Sequence, residues 1–187
     1  MIDRRLWWYV ARSSGLVAWA LLAASMLWGL ALTTRAFAGR ASPRWLLDLH
    51  RWLGGLAVVF VGLHLGTIVA DTYVHFGPAD VLVPLASSWR PRDVAWGVVA
   101  LYLLVAVEVT SLVRRRLAPA LWRAVHALSF PLFVLATVHA LLAGTDTAAA
   151  WAKWSVIGGS MAVAFLGVAR AVAPNPDRDP TGEALGG

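Results

Sequence analysis

Five long apolar runs leave this chain few ways to fold. They cover about Ser14–Thr34, Trp45–Ala70, Val94–Val113, Ala120–Ala143 and Ala150–Val172. A helix needs about 20 apolar residues to cross a hydrocarbon core of roughly 30 Å, and each run supplies them. In lipid, backbone N–H and C=O groups must find partners within their own segment, so each run is expected to be a helix rather than a strand. The chain is 14% charged, where a soluble domain carries about 25%, so too little polar surface exists to face water all round. The expected fold is all-α, an integral membrane bundle of five transmembrane helices. Trp7, Trp8, Trp45, Trp89, Trp96, Trp122, Trp151 and Trp154 lie near the ends of the runs, as interfacial aromatic belts do.

Three regions follow. Residues 1–13 read as an N-terminal interfacial lead-in, 14–172 as the five-helix transmembrane domain, and 173–187 as a disordered tail with Pro, Gly and acidic content. Ala36-Phe37-Ala38 resembles a signal cleavage site, but the run before it exceeds the roughly 7–15 residues of a signal core, and the span is expected to stay. The largest loop runs from Asp71 to Asp93. With no Cys, disulfides, Cys-ligated zinc, iron–sulfur clusters and covalent c-type haem are all excluded.

The basic residues sit at the ends of the runs and read as topology and contact with the lipid bilayer, with no nucleic-acid partner. Arg35, Arg40, Arg44, Arg51, Arg114, Arg115, Arg116, Arg123, Arg170 and Arg178 fall on one side. Arg4, Arg5, Arg12, Arg90, Arg92 and Lys153 fall on the other. The larger group marks the cytoplasmic side, which places the N-terminus outside and the C-terminus in the cytoplasm of a multi-pass cell-membrane protein.

Four of the five histidines lie in two runs: His50 and His64 in the second, His126 and His139 in the fourth. Ionisable side chains inside a membrane are costly and point to function. Separations of 14 and 13 residues correspond to about 21 and 20 Å of helix. One span lies between the two runs, so both cross in the same direction. His50 is then level with His126, and His64 with His139. Two facing imidazoles suit the two axial positions of a haem iron, whereas a tetrahedral metal asks for more ligands at each level. Two haems stacked in this way form a relay across the membrane. On an ideal helix His64 lies about 40° from His50, but His139 lies about 140° from His126. Pro131, between the latter two, is expected to distort the helix near Ser129–Phe133 and bring both rings to one side.

Other residues support the site. Gly54, four after His50, gives a porphyrin room to approach the backbone. Arg51 and Arg123 flank the inner pair and suit haem propionates. Gly62 and Gly66 form a G-x-x-x-G around His64, a pattern that commonly marks plain helix packing. Glu108 is the one acid deep in a span, expected to pair with a basic residue at the inner end or to take part in proton movement. Phe60, Phe130 and Phe133 lie at depths between the two levels, as core packing. His75 reads as an exposed loop residue, or one with a role at the outer acceptor or metal site.

The paired histidines, carried by Leu49-His50-Arg51, His64, Trp122-Arg123-Ala124-Val125-His126 and His139, resemble the ferric reductase-like transmembrane domain. That superfamily includes the NADPH oxidase core and the haem subunit of bacterial methionine-sulfoxide repair. The resemblance implies two haem b groups, the inner ligated by His50 with His126 and the outer by His64 with His139. Larger members continue into a flavin and nicotinamide domain. This chain ends soon after its last run and holds no Gly-rich dinucleotide fingerprint, so no flavin site of its own is expected. The resemblance also implies a six-helix core, of which the first helix is expected to lack a counterpart here.

The expected function is that of a di-haem b-type cytochrome, an electron-transfer oxidoreductase component. A separate donor, a flavoprotein or membrane quinol, feeds the inner haem. An outer acceptor (ferric iron, oxygen or a redox protein) takes electrons from the outer one. The alternatives are a membrane haem anchor for a dedicated extracytoplasmic oxidoreductase, and a non-haem metal-ion transporter using the same histidines.

Overall fold

Prolines mark where several of the apolar runs turn into helices. A computed structural model describes residues 4–33, 43–71, 75–145 and 149–172. The candidate cleavage site Ala36–Ala38, Arg35, Arg40, Arg178 and the tail 173–187 lie outside the described residues. The elements are α1 (Arg4–Thr33), α2 (Pro43–Ala70), the short α3 (Pro78–Leu82), α4 (Pro91–Leu112), a 3₁₀ turn (Arg114–Arg116), α5 (Pro119–Ala127), α6 (Ser129–Leu142) and α7 (Ala150–Val172). Five stretches are long and apolar enough to cross a membrane, with α5 and α6 together forming the fourth. No strand occurs among the described residues.

Pro78, Pro91 and Pro119 each stand in the first turn of a helix, where a missing N–H costs nothing and the fixed φ favours the helix. Helix α1 starts at Arg4, so the stretch read from sequence as a lead-in is helical and continuous with the first span. Its 30 residues make about 45 Å at 1.5 Å per residue, more than a bilayer core requires.

The expected distortion in the fourth span is present, just ahead of the proline. Helix α5 stops at Ala127, Leu128 has ψ −9°, and α6 begins at Ser129. The Leu128 N–H donates back to the Val125 carbonyl at 3.0 Å, a tightened turn. A proline ring excludes the carbonyl four residues before it, which for Pro131 is that of Ala127. The break therefore falls N-terminal to Pro131 rather than on it.

Two hairpins build the bundle. α1 packs along α2, α4 packs along α6, and α7 closes over α1 and α6. Trp19, Ala23, Met26 and Leu30 of α1 form one buried cluster with Phe133 of α6 and Val156 and Val163 of α7. Trp19 donates its Nε1–H to Thr137 Oγ1 at 3.0 Å, which satisfies the indole's polar atom. By contrast, α2 touches α4 sparingly and has at most marginal backbone contact with α5 and α6. The four histidines face one another across that gap.

Part of the large loop between α2 and α4 is ordered by its own bonds. The Gly77 N–H donates to Asp80 Oδ2 at 2.7 Å at the start of α3, and the Tyr102 hydroxyl donates to the Leu82 carbonyl. Arg90 takes a left-handed conformation, φ 43°, and its guanidinium donates to the Leu142 carbonyl at 2.7 Å. A cation at the C-terminal end of α6 meets the negative pole of the helix dipole, and the bond ties the start of α4 to the end of α6.

Candidate functional site

The histidines meet in two rungs. The rings of His50 (α2) and His126 (α5) have centroids 6.1 Å apart with planes at 79°. Those of His64 (α2) and His139 (α6) are 6.5 Å apart at 76°. An imidazole nitrogen binds a metal at about 2 Å, and the ring centre lies roughly 1 Å further back. Two imidazoles on one axial line through a metal therefore have centroids about 6 Å apart, the separation seen at both rungs.

Three of the four rings are oriented by a backbone carbonyl on a neighbouring helix. His64 Nδ1 lies 2.7 Å from the Ala11 carbonyl, and His139 Nδ1 lies 2.9 Å from that of Asp93. His50 Nδ1 lies 3.1 Å from the Ser25 carbonyl and 3.2 Å from Ser25 Oγ. A carbonyl only accepts, so Nδ1 carries the proton in each case. Nε2 is then left with a bare lone pair. Outer hydrogen bonds of this kind are what fix the tautomer and aim of a metal-binding histidine.

Each of those carbonyls is reachable because of a glycine that the reading of the sequence passed over. A Cβ on Gly15 would stand 3.0 Å from the His64 ring, one on Gly29 3.2 Å from His50, and one on Gly97 2.8 Å from His139. Each glycine lies four residues after the carbonyl in question, Ala11, Ser25 or Asp93. It is the residue whose side chain would otherwise cover that carbonyl's outer face. A signal was present: Gly15 and Gly29 repeat the 14-residue spacing of His50 and His64 on the adjacent antiparallel helix. His126 has no such arrangement. Its ring stacks on Trp122 at 5.1 Å and 22°, and its buried Nδ1 has no partner among the described residues.

A cavity of about 300 Å³ surrounds the outer rung. Gly15, Leu65, Val98, Ala136 and Ala140 line it beside His64 and His139. Trp8, Arg12, Phe76, Trp89 and Thr145 also line it. Phe76 packs edge-on to Trp89 at 6.1 Å, so residues of the loop between α2 and α4 reach the same cavity as the rung. Between the rungs Ala100, Leu104 and Leu132 form a buried apolar layer with Leu22, Val61 and Leu135 packed on it.

The remaining residues singled out from sequence take other positions. Gly54 opens space for a carboxylate: a Cβ there would lie 2.8 Å from Glu108 Oε1. Glu108 forms no ion pair among the described residues, so the expected basic partner is not there. Arg51 bonds Asp48 at 3.1 Å, both largely exposed, and Arg123 is exposed on α5. Among the described residues nothing within 4 Å faces Gly62 or Gly66, so no described helix packs on that G-x-x-x-G. Phe133 is buried at 4% exposure beside Trp19, while Phe130 is exposed. His75 is exposed with φ 53°.

A family profile described as the ferric reductase like transmembrane component matches residues 14–137, more than half of the chain. The chain belongs to the ferric reductase-like transmembrane family. The matched stretch contains His50, His64 and His126 with the α1 and α4 glycines that seat the rings, and stops two residues before His139. No curated protein and no solved structure matches the chain significantly. The family assignment makes this a multi-pass membrane protein with an electron-transfer role.

Proposed function

We propose that this protein is a di-haem b cytochrome that carries electrons across the membrane. His50 and His126 hold the inner haem and His64 and His139 the outer. The observation that carries the reading is the pair of rungs: opposed imidazoles at the spacing of two axial bonds, three with Nδ1 bonded so that Nε2 is free to ligate. When bound, haem supplies one-electron chemistry at iron.

The chain's own residues do the rest. α1 and α4 orient the rings through the carbonyls of Ala11, Ser25 and Asp93. The apolar layer of Val61, Leu104 and Leu132 keeps water from the space between the rungs, and the outer loop closes the far end with Phe76 and Trp89. Arg51 and Arg123, on the turns beside the inner rung, supply positive charge for propionates there. Haem held by two histidines at each rung would supply electron transfer rather than a binding place for substrate. A flavoprotein or membrane quinol on the basic, cytoplasmic side is the donor, and ferric iron, oxygen or a redox protein outside is the acceptor.

No three His, Cys, Asp or Glu side chains converge among the described residues. A transported divalent ion, which asks for about four ligands, is accordingly less well served than haem. The test is a reduced-minus-oxidised spectrum of the purified protein with extraction of the pigment. Non-covalent haem b bands are expected; metal content without a Soret band would favour transport.

A further inference from the structure

Three of the four rings are aimed by a carbonyl on a neighbouring helix, that of Ala11, Ser25 or Asp93. The fourth is aimed from within its own helix. Trp122 and His126 are four residues apart in α5, so their side chains lie one above the other on a single face. Their rings are close to parallel, with centroids 5.1 Å apart and planes at 22°, inside the range of about 4.5–7 Å at which aromatic pairs attract.

The torsion that turns an imidazole about its stem is broad, so the plane of a histidine is set by what touches it. A stacked indole sets that plane: turning the ring of His126 away from 22° gives up the face-to-face contact. The plane of His126 stands at 79° to that of His50, so the indole also sets the angle between the two rings of the inner rung. Trp122 lies near the end of a span, where interfacial belts collect tryptophan. A belt tryptophan turns its N–H toward water and headgroups, whereas Nε1 of Trp122 is buried. The indole is turned into the bundle, toward the ring it stacks on.

We propose that Trp122 is the positioning residue for His126, fixing by stacking the ring plane that carbonyls fix for His50, His64 and His139. This rests on the di-haem reading above. The device is local, since indole and imidazole are carried by the same nine-residue helix. What Trp122 supplies is a flat face at the right height, so another flat ring can replace it and an aliphatic side chain cannot.

The experiment compares Trp122→Leu with Trp122→Phe in the full, detergent-purified chain and again in the His64→Ala/His139→Ala background, where only the inner haem remains. Two readouts are used: the ferric low-spin electron paramagnetic resonance signal, which reports the angle between the two axial imidazole planes, and the rate of haem transfer to an apoglobin scavenger. Trp122→Leu is expected to shift the inner signal and to speed release of the inner haem about 2- to 12-fold, leaving the outer haem as it was. Trp122→Phe is expected to restore both readouts toward wild type. If Trp122→Leu does not accumulate, Trp122→Met, which fills similar space without a flat face, takes its place. An unchanged inner signal and release rate, equal changes at both haems, or a phenylalanine variant no better than the aliphatic one would overturn the inference and leave the di-haem reading standing. A wild-type chain that binds no haem would overturn both.

Discussion

Gly97→Ala puts one methyl group against one ring. Its Cβ would stand 2.8 Å from both Cε1 and Nδ1 of His139 and 3.0 Å from Cγ. Ordinary contact begins near 3.4 Å, so the ring must retreat by about 0.6 Å or more. Nδ1 is 2.9 Å from the Asp93 carbonyl, and a retreat of that size stretches the bond to the limit of hydrogen bonding or beyond. The bond itself contributes about 0.5–1.5 kcal/mol, and stranding its buried donor about 1–3 kcal/mol. Alanine favours the helix over glycine by about 0.5–1 kcal/mol, so the fold should not suffer. The loss falls on the outer ligand: about 1–3 kcal/mol corresponds to roughly a 5- to 150-fold weaker site, in the range seen when outer partners of metal-bound histidines are removed. The assay is haem per chain after gel filtration, with the thermal midpoint of the apoprotein as control. The outer haem should be depleted and the midpoint held or raised. Unchanged haem content with an unchanged midpoint potential would refute the carbonyl-socket argument.

Other substitutions separate the socket from general packing. Gly15→Ala, whose Cβ would lie 3.0 Å from His64, should weaken the outer haem in the same way but less. Gly62→Ala, although two residues from His64, faces open space and should leave haem content unchanged; depletion there would show that helix composition, not ring seating, is being read. Trp19→Phe removes the 3.0 Å bond to Thr137 and should destabilise the bundle by about 0.5–1.5 kcal/mol, visible as a lowered thermal midpoint with both haems retained. His64→Ala should remove about half the pigment, and full retention by quantitative extraction would contradict the pairing.

The spans and the pairing of His50 with His126 and His64 with His139 were legible because length and apolar continuity decide what crosses a bilayer, and a fixed rise per residue converts spacing into depth. The 140° phase error between His126 and His139 pointed correctly to a break, since Pro131 removes a donor and blocks a carbonyl. Its position one residue early follows from that carbonyl lying on the N-terminal side. What could not be read was which helix each ring leans on. Gly15, Gly29 and Gly97 look like ordinary membrane-helix glycines until α1 is placed beside α2 and α4 beside α6. Gly54 was expected to face porphyrin because it follows His50 by one turn, but the depth match with Glu108 on α4 is a tertiary fact. The G-x-x-x-G at Gly62 suggested packing by composition alone, and its face meets no other described helix.

Haem stoichiometry tests the central claim most directly. Protein expressed with sufficient haem supply, purified, and assayed for non-covalent haem against chain concentration should hold two haem b per chain, both low-spin in the ferric state. The His64→Ala/His139→Ala variant should hold one. A wild-type ratio of one or none, or a ratio that this double variant leaves unchanged, would contradict the two-rung account.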